Sequence, residues 1–261
     1  MFNLAKKKID QTKIQEKPFP FLFVKNLISK KDLNNLNKVL PNYDSILDDE
    51  VLYQSSSKTK KTILPKSKNY KILNKNKEFK EINLTFQKLK PVIFDKFKKH
   101  IDKHLKKKIY SKSLKYHITY SVMKNGYIKS PHIDRRDHLI HMIFYPSSNP
   151  LKGGEICIHQ LKQKQTNFDV FPINQSLKIS KKIKVYNNSC LIILNVPWAY
   201  HSVSLYKSKI DRKYFYMVYD FPVAKPGSKY KYRKAGFNQN QFWKNIVKIK
   251  SLKRKRIFLT E

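Results

Sequence analysis

His132 and Asp134 stand one residue apart in SPHIDRRDHLIHMIFYP. On an extended segment that spacing sends both side chains off the same face, where they can point at one ion. A lone His-x-Asp is common by chance, so the second half of the pattern matters more. LIILNVPWAYHSV places His201 just beyond an apolar strand, 67 residues after Asp134, and Arg212 follows 11 residues later at the opening of another strand. Two imidazoles and one carboxylate make a facial triad that suits non-haem Fe(II) and leaves three coordination positions open. An Arg deep in the same barrel can fork-bind a carboxylate. Other titratable residues have blander readings. His138 and His141, three apart on a strand, are expected on opposite faces and not on one metal, which leaves room for one to face the pocket. His117 and His159 read as sheet-surface or packing residues, and His100 and His104 as the solvated side of a helix. Arg135 and Arg136 line the mouth or are simply solvated; Trp198 and Tyr200 wall the pocket or pack in the core.

The elements that must carry these residues change character along the chain. KPFPFLFVKN (17–26) reads as a short strand, and SKKDLNNLNKVLP (29–41) as a helix capped by Ser29 and stopped by Pro41. QSSSKTKKTILPKSKN (54–69) reads as a polar loop. Apolar residues at Phe79, Ile82, Phe86, Leu89, Ile93, Phe97, Ile101 and Leu105 recur at three and four, one face of an amphipathic helix over 76–106 with a break at Pro91. After residue 112 come short runs rich in aromatic and β-branched residues: LKYHITYSV, LIHMIFY, EICIHQL, IKVY (183–186), CLIILNV and YFYMVYDF. Such runs, separated by turns, argue an antiparallel sandwich or barrel. Residues 162–182 form a long polar connection. Only five glycines occur, and three of them (126, 153, 154) fall in the stretch around the His-x-Asp. There the backbone needs positive φ or close approach.

The chain has 261 residues, and 56 Lys+Arg against 18 Asp+Glu leave a formal charge of +38. A hydrophobic content of 40% suffices for a real core and excludes general disorder. Only six of the basic residues are Arg, whereas nucleic-acid sites favour Arg's planar fork. The charge also concentrates away from the chemistry: 112–224 carries 17 basic and 6 acidic residues, while 225–260 holds 12 basic and no acidic ones. That tail is expected to form a basic helix able to contact a polyanion. No run of about 18 apolar residues is present, so the expectation is a soluble cytoplasmic protein with no membrane span. Cys157 and Cys190 lie in apolar runs and read as buried thiols.

The string from Gly126 through Pro131-His132-Ile133-Asp134, the strand LIHMIFY, Lys152-Gly153-Gly154-Glu155, Asn195, His201-Ser202-Val203 and Arg212 resembles the Fe(II)- and 2-oxoglutarate-dependent dioxygenases, and among them the prolyl-4-hydroxylase-like branch. The resemblance implies that His132, Asp134 and His201 hold iron, that 2-oxoglutarate chelates it, and that Arg212 pairs with the far carboxylate of the cosubstrate. Lys213 is the alternative to Arg212. Where the family often has a tyrosine, three residues before Gly126, this chain has Met123; Tyr120 is the neighbouring candidate for that cofactor-binding contact. The implied cofactors are Fe(II), 2-oxoglutarate as cosubstrate and O2, with ascorbate as an optional accessory.

The implied fold is mostly β with flanking helices (α+β), built on a double-stranded β-helix core of the jelly-roll, cupin-like kind. That core spans 112–224, a strand and helix region (1–111) packs on it, and a basic extension (225–261) follows. The implied activity is hydroxylation of an unactivated C–H in a peptidyl proline, an amino acid or another small metabolite, with release of succinate and CO2. The partners are then a small-molecule or peptide substrate. The alternative is a non-catalytic basic protein on the same scaffold that binds nucleic acid or an anionic surface.

Overall fold

The computed structural model describes residues 1–46, 59–65, 67–104, 109–135, 137–163, 172 and 176–221. The expected basic helix of the tail lies outside the described residues, as does most of the connection after residue 163. Among the described residues two antiparallel sheets face each other, and helices cover the larger one. The six-stranded sheet runs β1 (Phe21–Lys25), β8 (Ser189–Leu194), β5 (His138–Ser147), β10 (Arg212–Asp220), β3 (Lys115–Met123), β2 (Lys60–Ile63). The four-stranded sheet runs β4 (Lys129–His132), β9 (His201–Val203), β6 (Ile156–Leu161), β7 (Leu177–Ile183). This is the jelly-roll arrangement, with strands of one sheet alternating in sequence with strands of the other.

β10 is central in the larger sheet and buried along most of its length, so its residues divide between two interiors by simple alternation. Phe215 and Tyr219 face the helices. Phe215 meets Phe79 at a ring-centroid distance of 6.0 Å, and the Tyr219 hydroxyl donates to the Phe86 carbonyl at 2.6 Å. Both phenylalanines belong to α4 (Lys77–Lys88), whose apolar positions Phe79, Ile82 and Phe86 are fully buried. Each such ring contributes about 1.5–3 kcal/mol through burial. α5 (Lys90–His104) continues after a break at Leu89, with Pro91 in its first turn, where a missing N–H costs nothing. α2 (Lys30–Val39) is capped as expected, Ser29 Oγ accepting from the Asp32 amide at 3.0 Å. An N-terminal helix, α1 (Phe2–Gln11), packs Ala5 and Ile9 into the same layer, and a short α3 (Lys68–Leu73) leads into α4. Among the described residues no helix is long and apolar enough to cross a membrane.

Two polar stretches expected as loops contain strands. β2 lies within 54–69, and β7 occupies 177–183, almost wholly within the connection, overlapping the IKVY run (183–186) expected to form a strand only at Ile183. Both are sheet edges rich in lysine. Lysine on an edge blocks further pairing and erases the alternation that identifies an inner strand. Backbone hydrogen bonding to β3 and β6, invisible in composition, is what makes them strands.

The β1 edge is clamped by Asn188, which adopts φ 61° just before β8. Its Oδ1 accepts from the Ile28 amide at 3.0 Å and its Nδ2 donates to the Ile28 carbonyl at 2.7 Å, both buried. Asn188→Ala leaves two buried backbone groups unpaired and puts an ill-suited residue at positive φ. The expected loss is about 2–4 kcal/mol, read as a lower urea midpoint with unchanged m-value.

Candidate metal centre and active site

The register of the smaller sheet brings His132 directly opposite His201 across β4 and β9, with ring centroids 4.4 Å apart. Asp134, two residues past His132, turns back toward the pair. Its Oδ1 lies 3.6 Å from His132 Nε2 and its Oδ2 3.9 Å from His201 Nε2. The three ligand atoms fall within 4.8 Å of one another. Each histidine is oriented through its other nitrogen: His132 Nδ1 meets the Ser130 carbonyl at 2.9 Å and His201 Nδ1 the Ala199 carbonyl at 3.0 Å. A carbonyl can only accept, so Nδ1 carries the proton and Nε2 keeps a lone pair for a metal. Burial, and then the neighbouring His201, push His132 down to about 3, so its ring is neutral. Asp134 is lowered, its burial outweighed by His141, His201 and His132, so it is ionised. Two imidazoles and one carboxylate fit a divalent first-row metal.

Arg212 opens β10 on the inner face and is fully buried. Its Nη1 donates to the Gly154 carbonyl and its Nη2 to the Gly153 carbonyl, the latter at 3.1 Å. Both glycines have positive φ, and a Cβ at Gly154 would sit 2.7 Å from the guanidinium Cζ. The missing side chain is therefore what admits the arginine. The Tyr206 ring lies 4.3 Å and the Tyr145 ring 5.8 Å from Cζ. Among the described residues no carboxylate comes within ion-pair distance, and Nε has no partner. Burial lowers its pKa, and Tyr145, Tyr206 and Glu155 offset that only in part.

No family model and no curated protein matches this chain. Solved structures do. A prolyl-4-hydroxylase of Pseudomonas putida aligns with a TM-score of 0.51 at 8% identity, covering 84% of this chain and 99% of its own. SnoN, a non-haem α-ketoglutarate-dependent epimerase from nogalamycin biosynthesis, aligns with a TM-score of 0.51 at 9% identity, covering 88% of this chain and 85% of its own. The fold is that of the Fe(II)- and 2-oxoglutarate-dependent oxygenases.

Within that oxygenase fold one sequence expectation is corrected and several open alternatives are decided. Tyr120 is not at the site: it pairs with Phe215, shares that residue's helix-facing side, and donates its hydroxyl to the Pro41 carbonyl at 2.7 Å. Lys213 faces the same side and donates to the Leu40 carbonyl at 2.8 Å, so it is no substitute for Arg212. Arg135 is held by Asp137 through Nε at 3.0 Å and Nη2 at 2.6 Å, which takes its fork away from an acidic substrate. Trp198 donates to the Pro18 carbonyl at 3.1 Å, anchoring the N-terminal strand. Asn195 donates to the carbonyls of Arg135 at 2.8 Å and His138 at 2.9 Å, and so holds the turn that presents Asp134.

The sequence reading passed over the tyrosines of the inner face. Tyr127, pushed up to about 12 by burial, lies within electrostatic reach of both Asp134 and Arg212. Tyr214, also raised by burial, does the same. Tyr145 adjoins the guanidinium, and Tyr216 donates to Asp134 Oδ2 at 2.9 Å. The usable signal was period two: 212, 214 and 216 on β10 share one face.

A second cluster latches β10 to its two neighbours, β3 and β5. Asp220, at the end of β10, meets His138 Nδ1 at 2.6 Å and His117 Nε2 at 2.7 Å. Burial opposes charging of His138 but Asp220 outweighs it, so its pKa is raised from 6.5; burial of Asp220 is outweighed by both histidines, so it is lowered from 3.8 to about 2. A raised histidine pKa contributes stability that is complete below the unfolded value and lost as pH rises through the folded one. A lowered aspartate contributes above its unfolded value and loses its share as pH falls toward the folded one. The latch is therefore strongest between about pH 4 and 6.5. The urea-midpoint gap between wild type and Asp220→Asn is expected to be widest there and to narrow toward pH 9. A gap constant over that range would show that the latch does not titrate.

Proposed function

We propose that this chain is an Fe(II)- and 2-oxoglutarate-dependent oxygenase that hydroxylates an unactivated C–H of a peptidyl or small-molecule substrate. One observation carries the reading: a fully buried arginine with no ion pair among the described residues shares an interior with a two-histidine, one-carboxylate donor set. A buried unpaired cation is costly unless an anion completes it. A dicarboxylate that chelates a metal with one end and reaches Arg212 with the other satisfies both groups.

Each residue then has a task. His132, Asp134 and His201 would hold the metal through Nε2, one carboxylate oxygen and Nε2. When bound, the iron would supply O2 activation coupled to decarboxylation of 2-oxoglutarate, one oxygen atom entering succinate and the other the substrate C–H, with CO2 released. Arg212 receives the far carboxylate as a charge-assisted pair. Its donation to the Gly153 and Gly154 carbonyls sets its orientation before any ligand arrives, so little ordering cost remains on binding. The Tyr145 and Tyr206 rings enclose the guanidinium and keep water from it, which strengthens that pair. Tyr127 and Tyr214 offer phenolic O–H groups along the slot and remain neutral at physiological pH.

Metal-loaded protein is expected to bind 2-oxoglutarate and to release succinate only with Fe(II) and O2 present. Arg212→Gln is expected to weaken 2-oxoglutarate by about 2–4 kcal/mol, on the order of 30- to 1000-fold, with metal binding retained. His132→Ala is expected to lose metal and turnover together. If metal-loaded wild type does not bind 2-oxoglutarate in calorimetry, the reading fails, and the non-catalytic binding protein becomes the better account.

A further inference from the structure

One buried group beside the donor set has no task in this scheme. His141 lies on the inner face of β5, opposite Val218 of β10 and Ile193 of β8, with none of its surface exposed. Neither ring nitrogen has a hydrogen-bond partner. A buried polar group left in that state costs about 1–3 kcal/mol, so its retention needs a reason. Nδ1 lies 3.1 Å from Asp134 Oδ2, close enough to bond but without the required alignment. The ring is fixed from two sides. It is stacked with Tyr216 at 6.1 Å and 23°, and its centroid is 5.2 Å from that of His201.

A third imidazole beside a metal centre invites a reading as a fourth ligand, and the distances argue against it. The ligand atoms of His132, Asp134 and His201 lie within 4.8 Å of one another, and His141 falls outside that group. Its neighbour is instead Oδ2, the oxygen that already accepts from the Tyr216 hydroxyl at 2.9 Å. The other oxygen, Oδ1, is the one turned toward His132 Nε2.

Resting on the metal-site reading above, we propose that His141 is a positioning residue for Asp134. Its Nδ1–H and the Tyr216 hydroxyl together hold Oδ2, leaving Oδ1 to bind the metal. Two donors on one oxygen stop the carboxylate from rotating or chelating with both oxygens. One-oxygen ligation keeps the third coordination position free for incoming ligands. Partners of this kind set ligand geometry, and losing one costs about 10–100-fold in metal affinity.

The test needs no turnover. Co(II) is titrated into the full-length metal-free protein without 2-oxoglutarate, and the visible d–d bands are followed. In His141→Asn the side-chain amide falls near the position of Nδ1–H; in His141→Gln it falls near Nε2. The asparagine variant is expected to bind Co(II) within about threefold of wild type, and the glutamine variant about 10–100-fold more weakly with altered bands. Equal affinity in both variants, whether strong or weak, overturns the proposal. So does a loss of affinity that merely follows the melting temperature of the metal-free variants. If the glutamine variant does not fold, His141→Ala takes its place with the same expectation. Wild type that binds no Co(II) overturns the metal-site reading itself, whereas binding by wild type with indifference to residue 141 overturns only the role of His141.

Discussion

The architecture depends on β10 being a central strand with both faces buried. A strand in that position has no solvent side, so its period of two sorts residues between two different interiors. Phe215, Met217 and Tyr219 turn to the helices, where aromatic packing against α4 fastens the helical layer. Arg212, Tyr214 and Tyr216 turn to the space between the sheets, where they form the polar half of the candidate site. A slip of one residue would exchange the two sets, driving a guanidinium into the phenylalanine layer and rings into the slot. The aromatic packing on one face thus holds in register the chemistry on the other.

The inner face tolerates buried polarity because most groups there are paired within the backbone framework. Arg212 rests on two glycine carbonyls, Asn195 closes the turn behind Asp134, and the two facing histidines donate to carbonyls only two residues away. Among the described residues of that face, what stays unsatisfied is Arg212 Nε, Asn195 Oδ1 and both nitrogens of His141. Unsatisfied polar groups in an otherwise paired interior call for a reason of their own.

The helical layer and the inner strands were legible because their signals are local. The three-and-four spacing of Phe79, Ile82 and Phe86 and the run from Tyr214 to Phe221 needed no tertiary information. Edge strands β2 and β7 were not, because lysine-rich edges look like loops until a neighbour pairs with them. Tyr120 was misassigned for a related reason: proximity in sequence to the glycine turn does not say which face a side chain leaves. Its pairing with Phe215 does. The net charge of +38 lies mainly outside the site, whereas two of five glycines, Gly153 and Gly154, and one of six arginines, Arg212, fall within it.

By itself the sequence determined the donor types and their order: His132, Asp134 and His201 with an arginine after them, and glycines where the backbone must bend to positive φ. These are properties of residue type and short spacing, which chain connectivity preserves. Only the tertiary structure decided that His132 and His201 face each other across two strands, that Arg212 is buried with no ion pair among the described residues, and that His141 and Tyr216 converge on the same carboxylate oxygen. Those relations join residues up to about 80 positions apart. Sheet register sets them, and register is fixed by burial on both faces at once.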